Sequence, residues 1–328
     1  MKKLLKKTLK LILPIVLGGF ILFWVYRDFD FAEAGDVLKH GTNWGWMLFS
    51  LVFGVFAQVF RGWRWRQTLE PLDAFPKKSD CVNAIFISYA ASLVVPRIGE
   101  VSRCGVLAKY DNVSFAKSLG TVVTERLVDT LTILLITGIT VLLQLPIFVT
   151  FLQQTGTKIP SLVHLLTSVW FYIILFCFIG VAILLYYLRK TLFFYERVKG
   201  FVLNIWEGIM SLKGVRNIPL FIFYTLAIWA CYFLHFYFTF YCFAFTAHLG
   251  ILAALVMFVG GTFAVIVPTP NGAGPWHFAI ISMMMLYGVN VTDAGIFALI
   301  VHGIQTFLVV LLGIYGFAAL SFTNRHRG

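Results

Sequence analysis

The sequence predicts an all-α polytopic membrane protein with about six full crossings and two shorter helical hairpins, on three observations. Of its 328 residues 60% are hydrophobic and only 12% charged, against about 25% charged in soluble domains. Several apolar runs reach the roughly 18 residues that cross a hydrocarbon core of about 30 Å at about 1.5 Å per residue. The 26 Lys and Arg fall in short patches between those runs, as the positive-inside rule sorts them. No long polar stretch remains for a water-soluble catalytic domain. The net charge of +12 is spread over loops, so it reads as membrane sorting and not as a nucleic-acid surface.

In chain order, the first crossing is 11–26. The preceding Lys2, Lys3, Lys6, Lys7 and Lys10 imitate a secretory signal, but no small-residue cleavage site follows before Arg27, so an uncleaved helix is expected. Further crossings read at 43–60, 118–145, 162–188, 218–246 and 294–320. Two apolar pieces are awkward: 83–95 is short and ends at Pro96, and 252–267 ends at Pro268. A full crossing at 83–95 would put Arg97, Arg103, Lys109 and Lys117 outside, and after two more helices Arg189, Lys190, Arg197 and Lys199 as well. A re-entrant hairpin instead puts all 26 basic residues except Arg27, Lys39, Arg126 and Lys158 on the cytoplasmic face. That parity makes both termini cytoplasmic and brings 252–267 in from the outer side.

The two awkward pieces match each other. Phe86-x9-Pro96 after Val94-Val95 parallels Phe258-x9-Pro268 after Ile266-Val267, and each precedes a long helix by about 20 residues. The expected organisation is a single membrane domain over 1–328 with an inverted repeat of two re-entrant units, 82–145 and 252–320, as in transporters whose site lies at the bilayer midplane. Between them, Leu192, Phe193, Val198, Phe201, Val202, Ile205, Ile209 and Leu212 recur at helical spacing, so 191–213 reads as an amphipathic helix on the cytoplasmic surface.

Three clusters carry chemistry. Pro96-Arg97-Ile98-Gly99-Glu100 with Arg103 forms the tip of the first hairpin. Irregular backbone at membrane depth is tolerated where it lines a wet cavity, and an Arg there can grip a phosphate bidentately. The alternative is that Arg97 and Glu100 pair with each other or sit at the interface. Glu125, Arg126 and Asp129 lie about 12–18 Å along the next helix from Lys117, where each charge costs about 2.5–3.5 kcal/mol on insertion scales. Either they meet substrate or they form a structural ion network reaching Arg97 or Arg103, with Arg126 able to pair with Asp129. The third cluster, Pro268-Thr269-Pro270-Asn271-Gly272-Ala273-Gly274-Pro275-Trp276-His277, reads as a loop whose free N–H groups form an anion-binding nest, or as a tight packing turn.

His277 and His302 are candidates for titration or for a headgroup hydrogen bond, while His164, His235 and His248 read as satisfied polar contacts. Cys81, Cys104, Cys177, Cys231 and Cys242 show no ligand spacing and are expected to be free, buried thiols. Hydrolase, ATPase and metalloenzyme motifs find no match, so no cofactor or metal is expected.

In order and spacing, Pro96-Arg97-Ile98-Gly99-Glu100-x-x-Arg103, Glu125-Arg126-x-x-Asp129 and the 268–274 loop resemble the transmembrane flippase domain of lysylphosphatidylglycerol synthases and the related flippase-like integral membrane proteins, over about 45–320. The resemblance implies a multi-pass protein of the bacterial or archaeal cytoplasmic membrane that moves a lipid headgroup through the two re-entrant units. Two departures stand out: Asn271 replaces a second Gly and His277 replaces a Glu. The aminoacyl-transferase domain is absent, so lysine transfer is not expected. The leading expectation is a flippase-like transporter of a phosphate-containing lipid, phospholipid or polyprenyl-phosphate. Arg97, Arg103 and Arg126 would bind phosphate, and Glu100, Glu125 and Asp129 would balance them or hold an amine or sugar hydroxyl, with Asn271, Gly272, Gly274 and His277 completing the site. The alternative is an integral-membrane glycosyl- or phosphotransferase that takes a polyprenyl-phosphate-linked donor and uses Asp28 and Asp30, and a third is a scaffold acting through the basic face. Monomer and homo-oligomer both remain open.

Overall fold

The structure is a computed structural model that describes residues 2–27, 29–147 and 214–323. It is helical throughout, with no strand among the described residues. We number the described helices α1 (Lys2–Tyr26), α2 (Phe31–Asp36), α3 (Trp44–Leu69), α4 (Lys78–Val94), α5 (Ile98–Tyr110), α6 (Phe115–Leu143), α7 (Ile218–Tyr237), α8 (Ile251–Ala264), α9 (Pro275–Leu286) and α10 (Val291–Thr323). The crossing expected at 162–188 and the amphipathic helix expected at 191–213, with His164 and Cys177, lie outside the described residues.

Four helices are long and apolar enough to span a membrane: Trp44–Leu72, Phe115–Leu143, Ile218–Cys242 and Val291–Thr323. Their outward faces carry large apolar side chains such as Leu131, Leu135, Phe223, Leu226, Phe307 and Phe317, the pattern expected where lipid is the solvent. The protein is therefore a multi-pass membrane protein. The apolar part of α1, Leu13–Tyr26, and α8 are shorter.

Two sets of contacts define opposite ends of the molecule. At one end the Lys77 N–H donates to Asp111 Oδ1 (3.4 Å) and Lys117 Nζ to the Leu72 carbonyl (2.9 Å). These bonds tie the start of α4, the end of α5, the start of α6 and the end of α3 together. Arg66, Lys77, Lys78, Lys109 and Lys117 make this end basic. At the far end the Asn43 N–H donates to the Cys242 carbonyl (2.8 Å), Tyr26 OH to the Gly295 carbonyl (3.2 Å) and Tyr287 OH to Gln144 Oε1 (3.4 Å).

It follows that α4 and α5 form a hairpin that leaves and returns to the basic end. Its turn at Val95–Pro96–Arg97 is closed by the Ile98 N–H on the Val95 carbonyl (3.2 Å). The arms meet closely because residue 99 is Gly: a Cβ there would run into the Ser88 carbonyl oxygen and Ser92 Oγ. By the same reasoning α8 and α9 form a hairpin from the far end, with residues 265–274 as its tip. Helix α10 packs along α4 through Gly313 and Gly316, which lie against Phe86, Ala90 and Asn83. Antiparallel α3 and α7 pack face to face, with His235 Nδ1 2.8 Å from the Ser50 carbonyl oxygen.

An apolar core occupies each end. At the far end Tyr26, Met47, Phe236, Phe240, Met257, Ile280 and Phe297 pack together; at the basic end Trp65, Leu69, Ile85, Cys104, Leu107 and Val122 do so. The polar middle between them holds the site. Of the thiols expected to be buried, Cys81, Cys104 and Cys242 are, whereas Cys231 is half-buried and free because its position on α7 falls outside both cores.

Candidate functional site: a cavity between two hairpin tips

The tips of both hairpins line one open cavity of about 760 Å³, a volume in the range of small-molecule sites. The α4–α5 tip contributes Pro96, Arg97 and Glu100, and the α8–α9 tip contributes Pro268, Thr269, Asn271 and Gly272. Arg126 and Thr130 of α6, Tyr89 of α4, Trp229 and Tyr232 of α7, and Gln305 of α10 also line it.

Both tips place a residue after proline in the left-handed region, Arg97 at φ 67° and Asn271 at φ 52°. Asn visits that region readily; for Arg it costs about 1–2 kcal/mol. The turn therefore holds the exposed Arg97 at the cavity mouth against its local preference, the kind of stored strain that clusters at functional sites. Beside it, Arg126 Nε donates to Glu100 Oε1 at 2.7 Å, with the two side chains 51% and 31% exposed. This pair differs from two that the sequence offers, Arg97 with Glu100 and Arg126 with Asp129. Glu100 reaches one helix over to α6 and not back to Arg97, and Arg126 turns away from Asp129 because the latter is already taken.

Behind the wall lies a buried ion network. Arg61 Nη1 donates to Asp129 Oδ2 at 2.6 Å and Arg64 Nη2 to Asp129 Oδ1 at 2.7 Å. Arg64 Nη2 also reaches Glu125 Oε1 at 3.4 Å, Arg103 Nη1 donates to Glu125 Oε2 at 2.6 Å, and Arg64 Nη1 donates to Thr225 Oγ1 at 3.2 Å. The Arg103 guanidinium also stacks 4.6 Å from the Trp65 ring centre. Three guanidinium groups against two carboxylates leave the network one positive charge in excess. Its contact with the cavity runs through tyrosine: Arg61 lies 5.7 Å from the Tyr232 ring centre, and the Tyr232 and Tyr89 hydroxyls are 2.7 Å apart in the wall.

The second tip is wired differently from the nest the sequence suggests. Gly272 N–H donates to the Thr269 carbonyl (3.2 Å), Ala273 N–H to the Pro270 carbonyl (2.9 Å) and Gly274 N–H to His277 Nδ1 (3.3 Å). These donors are spent within the loop, so it is the tight turn of the two alternatives. His277 is buried and packs at 4.5 Å from the His302 ring; it braces the loop from behind and is not part of the cavity wall. Asn271, the departure from glycine, ties the tip to α10: its Nδ2 donates to Thr306 Oγ1 (2.7 Å), and its carbonyl oxygen lies 3.1 Å from His302 Nε2.

Of the sequence-predicted site residues, Arg97, Glu100, Arg126, Asn271 and Gly272 face the cavity. Arg103, Glu125 and Asp129 belong to the buried network, and Gly274 and His277 to the loop's support. Sequence reasoning missed Arg61 and Arg64, which were assigned to the cytoplasmic face; they are 4% and 0% exposed. Helix α3 continues through them to Leu69, and their spacing of three, one helical face, was the available signal. Tyr89 and Tyr232 carried no such signal. Asp30, the candidate for transferase chemistry, caps α2 by accepting from the Ala32 and Glu33 N–H groups (2.8 and 3.3 Å); Asp28 lies outside the described residues. No cluster of three His, Cys, Asp or Glu suited to a metal occurs among the described residues.

The family model for the lysylphosphatidylglycerol synthase transmembrane region matches residues 11–313. The chain belongs to that family. Membership in the lysylphosphatidylglycerol synthase transmembrane-region family makes it a membrane protein of lipid metabolism or flippase type. No curated protein and no solved structure matches it.

Proposed function

We propose that this protein is a flippase-like transporter that carries a phosphate-containing lipid headgroup across the cytoplasmic membrane. The observation that carries the reading is the convergence of two hairpin tips, from opposite ends of the molecule, on one cavity holding Arg97, Glu100 and Arg126. In this reading α4–α5 is a re-entrant hairpin from the cytoplasmic leaflet and α8–α9 one from the outer leaflet. The units 82–145 and 252–320 form an inverted repeat, and both termini are cytoplasmic. The basic residues gathered at the end where α4 begins support that orientation.

The mechanism follows from solvation. A headgroup in hydrocarbon loses several kcal/mol for each unpaired polar group. Arg97 and Arg126 replace phosphate hydration with charge-assisted bonds, and the hydroxyl and amide groups of the wall serve the rest of the headgroup while the acyl chains stay in lipid. The buried network fixes α3, α5, α6 and α7 around the cavity. Direction comes from a gradient or from consumption of the lipid.

In proteoliposomes the protein should move labelled phospholipid between leaflets, and Arg97→Ala should slow that movement by about tenfold or more, the loss of one charged hydrogen bond, with the folded fraction unchanged. Movement at the wild-type rate in a well-folded Arg97→Ala protein contradicts the proposal.

A further inference from the structure

We propose that the headgroup this cavity accepts is an anionic phosphate ester whose remaining part is uncharged and hydroxyl-rich, and that Glu100 is the internal anion it displaces from Arg126. The inference rests on the transport reading and specifies its substrate. Three observations carry it.

The first is where the carboxylates are. A cationic headgroup, such as an aminoacylated one, needs a free acid on the wall. Glu125 and Asp129 have side chains 0% and 9% exposed and are held by Arg61, Arg64 and Arg103. Glu100 is on the wall but holds Arg126 at 2.7 Å. The second is the cation that remains: Arg97 lines the cavity and has no acidic partner among the described residues. With the excess charge of the network behind Tyr232, the potential at the wall is positive, which repels an ammonium group and attracts a phosphate.

The third is the character of the other wall atoms. Thr269 Oγ1, in a residue only 4% exposed, has no hydrogen-bond partner, and neither do Trp229 Nε1 and Gln305 Nε2. All three residues line the cavity. Buried polar atoms are ordinarily satisfied, so these unpartnered groups, on residues of the wall, are ones that a ligand hydroxyl satisfies once the side chains turn toward it, and all are uncharged. Trp229 and Tyr232 line the cavity as well, and such rings, apolar in body with a polar edge, suit a polyol or sugar. Glu100 fits as a displaceable stand-in: its pair with Arg126 is partly exposed at the cavity, and such pairs are weaker than buried ones, whereas a phosphate can engage Arg97 and Arg126 together.

The test titrates the full-length protein in detergent with four lipids, read by native mass spectrometry: phosphatidylglycerol, a polyprenyl-phosphate hexose, a phosphate-free diacylglycerol hexoside and lysylphosphatidylglycerol. The first two carry the shared chemistry on different anchors, and the tighter of them identifies the source. The proposal expects the hexoside and the lysyl lipid to bind about tenfold more weakly than the better anionic lipid. It also expects Glu100→Gln to tighten anionic binding about threefold by freeing Arg126, and Arg97→Gln to weaken it about tenfold. Lysylphosphatidylglycerol binding as tightly as phosphatidylglycerol, a hexoside as good as the phosphate lipids, weaker anionic binding in Glu100→Gln, or no binding by any of the four overturns it. Selective anionic binding without movement between leaflets removes the transport reading and leaves this one standing.

Discussion

Glu125 and Asp129 lie under three guanidinium groups in a site closed to solvent, so either substitution strands charges that water cannot reach. Asp129→Ala leaves Arg61 and Arg64 facing each other and should cost about 3–5 kcal/mol, the range for breaking a buried pair from one side. Arg126→Gln removes an ion pair that is half exposed and should cost less than about 1 kcal/mol. Thermal unfolding of both variants in detergent checks the contrast: a clear drop in midpoint for Asp129→Ala and little change for Arg126→Gln. Equal drops would mean that the two sets of charges are one network and that the cavity wall has been misassigned. The acids of the network were legible in the sequence because charges in an apolar run are conspicuous. Arg61 and Arg64 were not, because three arginines in six residues after an apolar stretch look like its cytoplasmic boundary, and only the partners on α6 and α7 reveal that the helix continues through them.

Among the helices, the α4–α5 hairpin depends most on a single small residue. At Gly99 a Cβ would enter the Ser88 backbone and Ser92 side chain, so Gly99→Ala must part the two arms or tilt the tip that carries Arg97. Overpacking of this kind costs about 1–3 kcal/mol. Gly105, six residues on in the same helix, is exposed with open space around its Cβ position. Gly105→Ala should be neutral or gain up to about 1 kcal/mol of helix propensity. Unfolding midpoints report the pair, and a Gly99→Ala protein as stable as Gly105→Ala would show that the arms do not pack as described. The turns at both tips were legible in the sequence, since each short apolar run ends at a proline. The arrangement of the second tip was not legible: a glycine-rich loop offers free N–H groups in sequence, and the carbonyls and the His277 ring that consume them appear only once the chain is folded. Residue 271 illustrates the same limit, because a departure from glycine gains meaning only from Thr306 and His302 on a helix 30 residues away.

For the molecule as a whole, the arrangement is two apolar cores at the ends, a polar layer between them, and a cavity opened where hairpins from opposite ends meet. Composition alone predicted a lipid-facing exterior, and the distribution of lysine and arginine predicted which helix ends share a side. Their placement of Arg61 and Arg64 failed for the reason given above: the positive-inside rule counts charges but does not see which of them have buried partners. The central claim is that the cavity receives a headgroup at Arg97 and Arg126. The most direct measurement is a cryo-electron microscopy map of the protein in nanodiscs of anionic phospholipid. The account predicts headgroup density between the two tips, with its phosphate within hydrogen-bonding reach of both guanidinium groups and Glu100 withdrawn from Arg126. Density for acyl chains alone in the cavity, with Glu100 still closed on Arg126 and every headgroup outside the bundle, would contradict it.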